Sequence, residues 1–85
     1  MEALEQTGSI RVMLVLKRKG ALTLTGLKNE VGCSLAAVYN ALPKLKSVGL
    51  IQEDLEDTFP RRRLISLTGK GKRVAEKLEE IERIL

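Results

Sequence analysis

Asn40 is the side chain best suited to selective recognition, because a carboxamide donates and accepts hydrogen bonds at once and can pair bidentately with an adenine edge. A phosphate or a water could use the same amide. Asn40 shares one helical face with Leu35, Ala36, Tyr39, Pro43 and Lys44, with Lys46 and Ser47 at its edges. That face is small and polar at its start and basic further on. Close approach to base edges, then hydrogen bonding, then cations beside phosphates is what a helix in the major groove of a duplex requires. A helical hairpin with a solvated face would carry the same residues. A second cluster, Arg61, Arg62 and Arg63, supplies three guanidinium groups in a row. These suit a polyanion, or else form a solvated charge run.

The charge distribution favours a polyanionic partner. The chain has 15 Lys plus Arg against 11 Asp plus Glu, a net charge of +4. Residues 9–20 and 58–73 hold cations and no acid, whereas acids gather at residues 53–57 and near the C-terminus. Tyr39 and Phe59 are the only aromatics, too few for single-strand binding by base stacking. There is no histidine, and Cys33 is the only cysteine. An internal disulfide is thus impossible, and a zinc site of the usual Cys/His kind is not expected. With no Gly-rich phosphate loop and no nucleophile–base pair, an enzyme is not expected, nor is a cofactor or metal. No apolar run approaches the ~20 residues of a membrane span. The opening MEALEQTG carries no signal-peptide core, so a cytoplasmic, nucleoid-associated location is expected.

The elements that would position these residues can be read from apolar spacing and caps. Thr25 and Ser34 are candidate N-caps, and Gly32 and Gly49 are candidate left-handed stops. They frame helices over about 26–31 and 35–48. Leu27 and Val31 form the inner stripe of the first, and Val38, Ala41, Leu42, Leu45 and Val48 that of the second. Two helices joined by a short glycine-containing turn form a helix-turn-helix. Pro43 lacks an N–H and should bend or loosen the second helix. Residues 1–8 read as a frayed lead-in, and Ser9 as the cap of a helix over about 10–18. Ala21 to Leu24 reads as a short strand. Leu50–Glu53 and Arg63–Leu67 read as a hairpin within a wing over about 50–67. Thr68 caps a final helix, with residues 69–85 carrying Val74, Leu78, Ile81 and Leu85 at heptad-like steps. The expected fold is therefore mainly α with a small β-hairpin, with residues 9–68 as the core domain and 69–85 as a C-terminal helix.

This order of elements resembles a winged helix-turn-helix domain. LTLTGLKNEVGCS leading into VYNALPKLKSVGLI, then RRRLISLTGKGKRVAEKL, resembles the MarR and PadR families of transcriptional regulators in a short, archaeal-type version. The resemblance covers about residues 9–85. It implies a double-stranded DNA partner, with Ser34, Leu35, Ala36, Ala37, Tyr39, Asn40, Lys44 and Lys46 as DNA-binding residues of a recognition helix in the major groove, Tyr39 and Lys44 as its phosphate contacts, and Arg61, Arg62 and Arg63 on a wing at the minor groove or adjacent phosphates. The chain is shorter than most members, which add helices for a dimer platform and a ligand pocket. Acids at residues 53–57 should repel phosphate beside the wing. Cys33, in the turn, reads as a small buried residue rather than a redox sensor. Surplus apolar surface on the terminal helices suggests a homodimer through Ile10, Met13, Leu14, Val74, Leu78, Ile81 and Leu85. The alternatives are a weakly specific chromatin-like DNA binder and a winged-helix protein-interaction module.

Overall fold

Residues 9–19, SIRVMLVLKRK, form an α-helix with apolar groups on nearly every side, and such a helix needs cover on several sides. The computed structural model, which describes residues 1–32 and 34–85, supplies that cover from within the chain. The elements are α1 (Glu2–Glu5), α2 (Ser9–Lys19), β1 (Leu22–Thr23), α3 (Leu24–Val31), α4 (Leu35–Ser47), β2 (Ile51–Leu55), β3 (Arg63–Leu67) and α5 (Gly69–Ile84). Helix α2 is packed by α1, α3, α4, α5 and β3. Val12 and Met13 are fully buried there, and Leu14 and Leu16 nearly so. Met13 thus belongs to the core of a single chain and cannot serve the dimer contact expected for it.

The N-terminal eight residues are more ordered than a frayed lead-in. Helix α1 sets Ala3 and Leu4 against the core, and Gly8, at φ 85°, turns the chain into α2. Gly8 therefore precedes the helix as its N-cap, and Ser9 is its first residue, buried with its hydroxyl unbonded among the described residues.

Helix α3 also begins earlier than its sequence suggests. Thr23, not Thr25, is the cap, its Oγ1 accepting from Gly26 N at 3.2 Å. The same residue ends β1, which pairs with β3 in the register Leu22↔Ile65 and Thr23↔Leu64. A single threonine therefore closes a strand and opens a helix. Gly32 ends α3 at φ 75°. Ser34 caps α4, accepting from Ala37 N at 3.2 Å, and Gly49 follows the helix at φ 76°. Helix α4 is continuous through Pro43, whose ring is on the exposed side. The reading of Cys33 lies outside the described residues.

The three strands form an antiparallel sheet in the order β1-β3-β2. Strand β2 extends two residues beyond its expected end, with Ile51↔Leu67 and Leu55↔Arg63 as the outer pairs. Helix α5 starts under a tight constraint. Thr68 Oγ1 accepts from Gly71 N at 3.0 Å and donates to the Gly49 carbonyl at 2.5 Å. Lys70 Nζ donates to Val48 O at 2.7 Å, and Thr68 N donates to Leu50 O at 3.1 Å. Gly71 passes so close to the Leu50 carbonyl that a Cβ would collide with it, which explains a glycine inside the first turn of a helix. Helix, helix-turn-helix, then hairpin and closing helix is a winged-helix arrangement of mainly α composition.

Candidate nucleic-acid interface

Helix α4 is divided along its length into a buried and an open face. Val38, Ala41, Leu42 and Leu45 are buried against the core. Leu35, Ala36, Tyr39, Asn40, Pro43, Lys44 and Lys46 are exposed, and Ala37 is half-buried, turned partly inward from the expected face. Tyr39 is 53% exposed. Among the described residues, neither Tyr39 nor Asn40 spends its side chain on an internal hydrogen bond. Ser34 is exposed, but its hydroxyl oxygen is committed to the cap.

The wing is arranged differently. Its loop, residues 56–62, is closed by Glu56 N donating to Arg62 O at 3.0 Å. The Glu56 carboxylate returns the link, with Oε1 accepting from Arg62 Nε at 2.6 Å and from Arg62 N at 3.2 Å. This hydrogen bond from Arg62 holds the Glu56 carboxyl below its usual range, and Glu56 in turn raises Arg62. Arg61, at φ 55°, is bonded through Nε only to a carbonyl, Glu56 O at 3.4 Å, and is exposed. Arg63 Nη1 lies 3.7 Å from Glu53 Oε2, which also lies 3.9 Å from Lys46 Nζ on α4. The acids before the wing therefore do more than repel phosphate: Glu53 and Glu56 hold three of the cations expected to meet it.

Helix α4 and the wing border one cleft of about 340 Å³, lined by Leu24, Tyr39, Leu42, Pro43, Lys46, Glu53, Arg63 and Ile65. Pattern reading gave no role to Phe59, which is 93% exposed at the wing tip. A loop residue lies outside both helical and strand periodicity, so no spacing signal marks it.

A second surface lies away from this cleft. Ile10, Leu14, Leu78, Ile81 and Leu85 converge with Met1 and Leu4 on an apolar groove of about 440 Å³ between α2 and α5. Val74, expected with them, is half-buried and faces Ala3, Leu4, Val48 and Leu50 instead. Helix α5 folds back onto α2 through Lys17–Glu79 at 3.8 Å and an Arg18–Glu82 ion pair. Among the described residues, no group of three or more His, Cys, Asp or Glu could hold a metal ion, and no helix is long and apolar enough to cross a membrane.

No protein-family model matches the chain, and no curated protein matches it by sequence. Solved structures do match. A MarR-family transcriptional regulator from Silicibacter pomeroyi superposes with a TM-score of 0.83 at 25% identity, covering 99% of this chain and 57% of that one. Bordetella bronchiseptica BpsR, whose DNA binding is regulated by 6-hydroxynicotinic acid, gives 0.79 at 21% identity over 91% and 58%. A mutant MarR from E. coli, solved in complex with operator DNA, gives 0.75 at 22% identity over 87% and 53%. The chain has the winged-helix fold of MarR-family regulators and spans 53–58% of the length of these three.

Proposed function

We propose that the chain binds double-stranded DNA as a sequence-reading transcriptional regulator with no enzymatic activity, acting on the nucleoid in the cytoplasm. The observation that carries this reading is the shared cleft: an open, hydrogen-bond-capable face of α4 and a basic wing flank the same opening. Helix α4 enters the major groove, with Asn40 at base edges and Tyr39 and Lys44 at phosphates. The wing lies over the adjacent minor groove or its phosphates, led by Arg61. The likeness in fold to a MarR solved in complex with operator DNA supports a duplex as the partner.

The apolar groove between α2 and α5 supports a two-fold homodimer. Ile10 is 44% and Ile81 53% exposed, and Leu85 is almost fully so. Each such side chain buried contributes about 1.5–3 kcal/mol, enough in sum to offset the cost of association. A two-fold axis there would present two α4 helices roughly 34 Å apart, one duplex turn.

Selection of bound sites from random duplexes at physiological salt tests the whole reading. A palindromic site is the expected result. Binding without sequence enrichment would indicate a chromatin-like role, which the small Leu35–Ala37 stretch would permit. No binding to any duplex at low salt would leave a protein-interaction module.

A further inference from the structure

We propose that Glu53 is an internal competitor of the DNA phosphates, a carboxylate that holds back Lys46 and Arg63 and so sets how tightly the protein clings to duplex of any sequence. The inference rests on the duplex-binding reading above and adds a residue to it. Glu53 lies at the back of the cleft between α4 and the wing, on the strand face it shares with Ile65, its register partner. Its side chain is 26% exposed, whereas those of Lys46 and Arg63 are 57% and 76% exposed. The carboxylate is therefore the more enclosed partner, and the two cations are the more open ones. One oxygen, Oε2, serves both, at 3.9 and 3.7 Å.

Those distances make the hold weak and reversible, as exposed or half-exposed ion pairs are. A weak hold is what a competitor requires: phosphate oxygens can displace it, but each cation taken must first leave Glu53. The bridge also joins the two parts of the interface, one cation from α4 and one from β3. Asp54 and Asp57 belong to the same acidic stretch but form no ion pair among the described residues, so they provide a control of equal charge.

The experiment measures affinity for a random duplex across a salt series, comparing wild type, Glu53→Gln and Asp54→Asn. Each variant removes one negative charge, and thermal melting checks that each stays folded. Glu53→Gln is expected to tighten binding about three- to tenfold and to steepen the salt dependence by about one unit of slope. Asp54→Asn should give a clearly smaller gain. In a Lys46→Gln, Arg63→Gln background, Glu53→Gln should gain no more than Asp54→Asn does, because nothing remains to release. Glu53→Asp keeps the charge but shortens the reach, and is expected to show part of the gain; it carries the test if the Gln variant melts early. If the wild type binds and Glu53→Gln matches Asp54→Asn, or keeps its advantage without Lys46 and Arg63, the inference is overturned while the DNA reading stands. If the wild type binds no duplex at low salt, the DNA reading falls, and the inference with it.

Discussion

The outward face of α4 and the wing border one cleft but differ in how far their polar groups are already committed. On α4, Tyr39 and Asn40 are open and make no internal hydrogen bond among the described residues. On the wing, Arg62 is bound to Glu56, and Arg63 shares Glu53 with Lys46, leaving Arg61 without a carboxylate partner among the described residues. The polar groups of Tyr39 and Asn40 are held open, while Arg62 and Arg63 are paired within the protein. A count of cations therefore overstates what a polyanion would meet. An Arg-rich segment can be built to hold its own loop together before it touches anything else.

The comparison can be broken most severely from beneath α4. Leu45 is fully buried under the helix, and Leu45→Ala is expected to cost about 2–5 kcal/mol of stability, read from denaturant unfolding. In a domain this small that is a large share of the total, and the outward face of α4 would lose its seat. Asn40→Ala tests the open face itself. A loss of about 1–3 kcal/mol on the selected site, with little loss on random duplex, is expected in titrations of both. Equal losses on the two would make Asn40 a positioning contact.

The committed face responds through salt. Arg61→Ala should flatten the salt dependence of duplex binding by about one unit of slope, whereas Arg62→Ala should change it less and loosen the loop instead. Replacing Arg61, Arg62 and Arg63 together should weaken binding to all duplexes, with a slope change smaller than three independent contacts would give. The smallest effect concerns pH. Glu56 has its carboxyl lowered from 4.5 by Arg62, so the link is complete above that value and is lost as pH falls through the lowered one. The Arg62 Nε–H resonance should keep its bonded shift at neutral pH and lose it only in acid below 4.5. A change between pH 6 and 8 would contradict the assignment.

Much of the helical frame was legible because local rules set it. Ser34, Gly32 and Gly49 act where their side chains or backbone freedom predict. What local rules cannot supply is which partner arrives from far along the chain. Thr23 and Thr25 are both acceptable caps by type, and the choice falls to Thr23 because β1 pairs with β3, some forty residues away. The apolar residues of α2 suggested a second subunit, yet α1, α3, α4, α5 and β3 enclose Met13 within one chain. Val74 likewise satisfied a heptad pattern but turned toward α1 and the end of α4. The wing shows the same limit. Glu53 faces Ile65, and Arg63 lies two residues along the same strand face, so the acid meets the cation diagonally. Only the hairpin register reveals that, and it cannot be counted from the sequence without the loop geometry.

Helices α4 and α5 share an anchorage. The hydroxyl of Thr68, the ammonium of Lys70 and the backbone N–H of Thr68 fasten the root of α5 to the carbonyls of Gly49, Val48 and Leu50, where α4 ends, and the bare Cα of Gly71 permits the close approach. Leu50 is almost fully buried there. Further along, α5 is held to α2 by Lys17–Glu79 and Arg18–Glu82, so this helix of about 24 Å ties α2 to the exit of α4. A partner docked along α2 and α5 would therefore lie against a helix whose root is bonded to the turn where α4 ends.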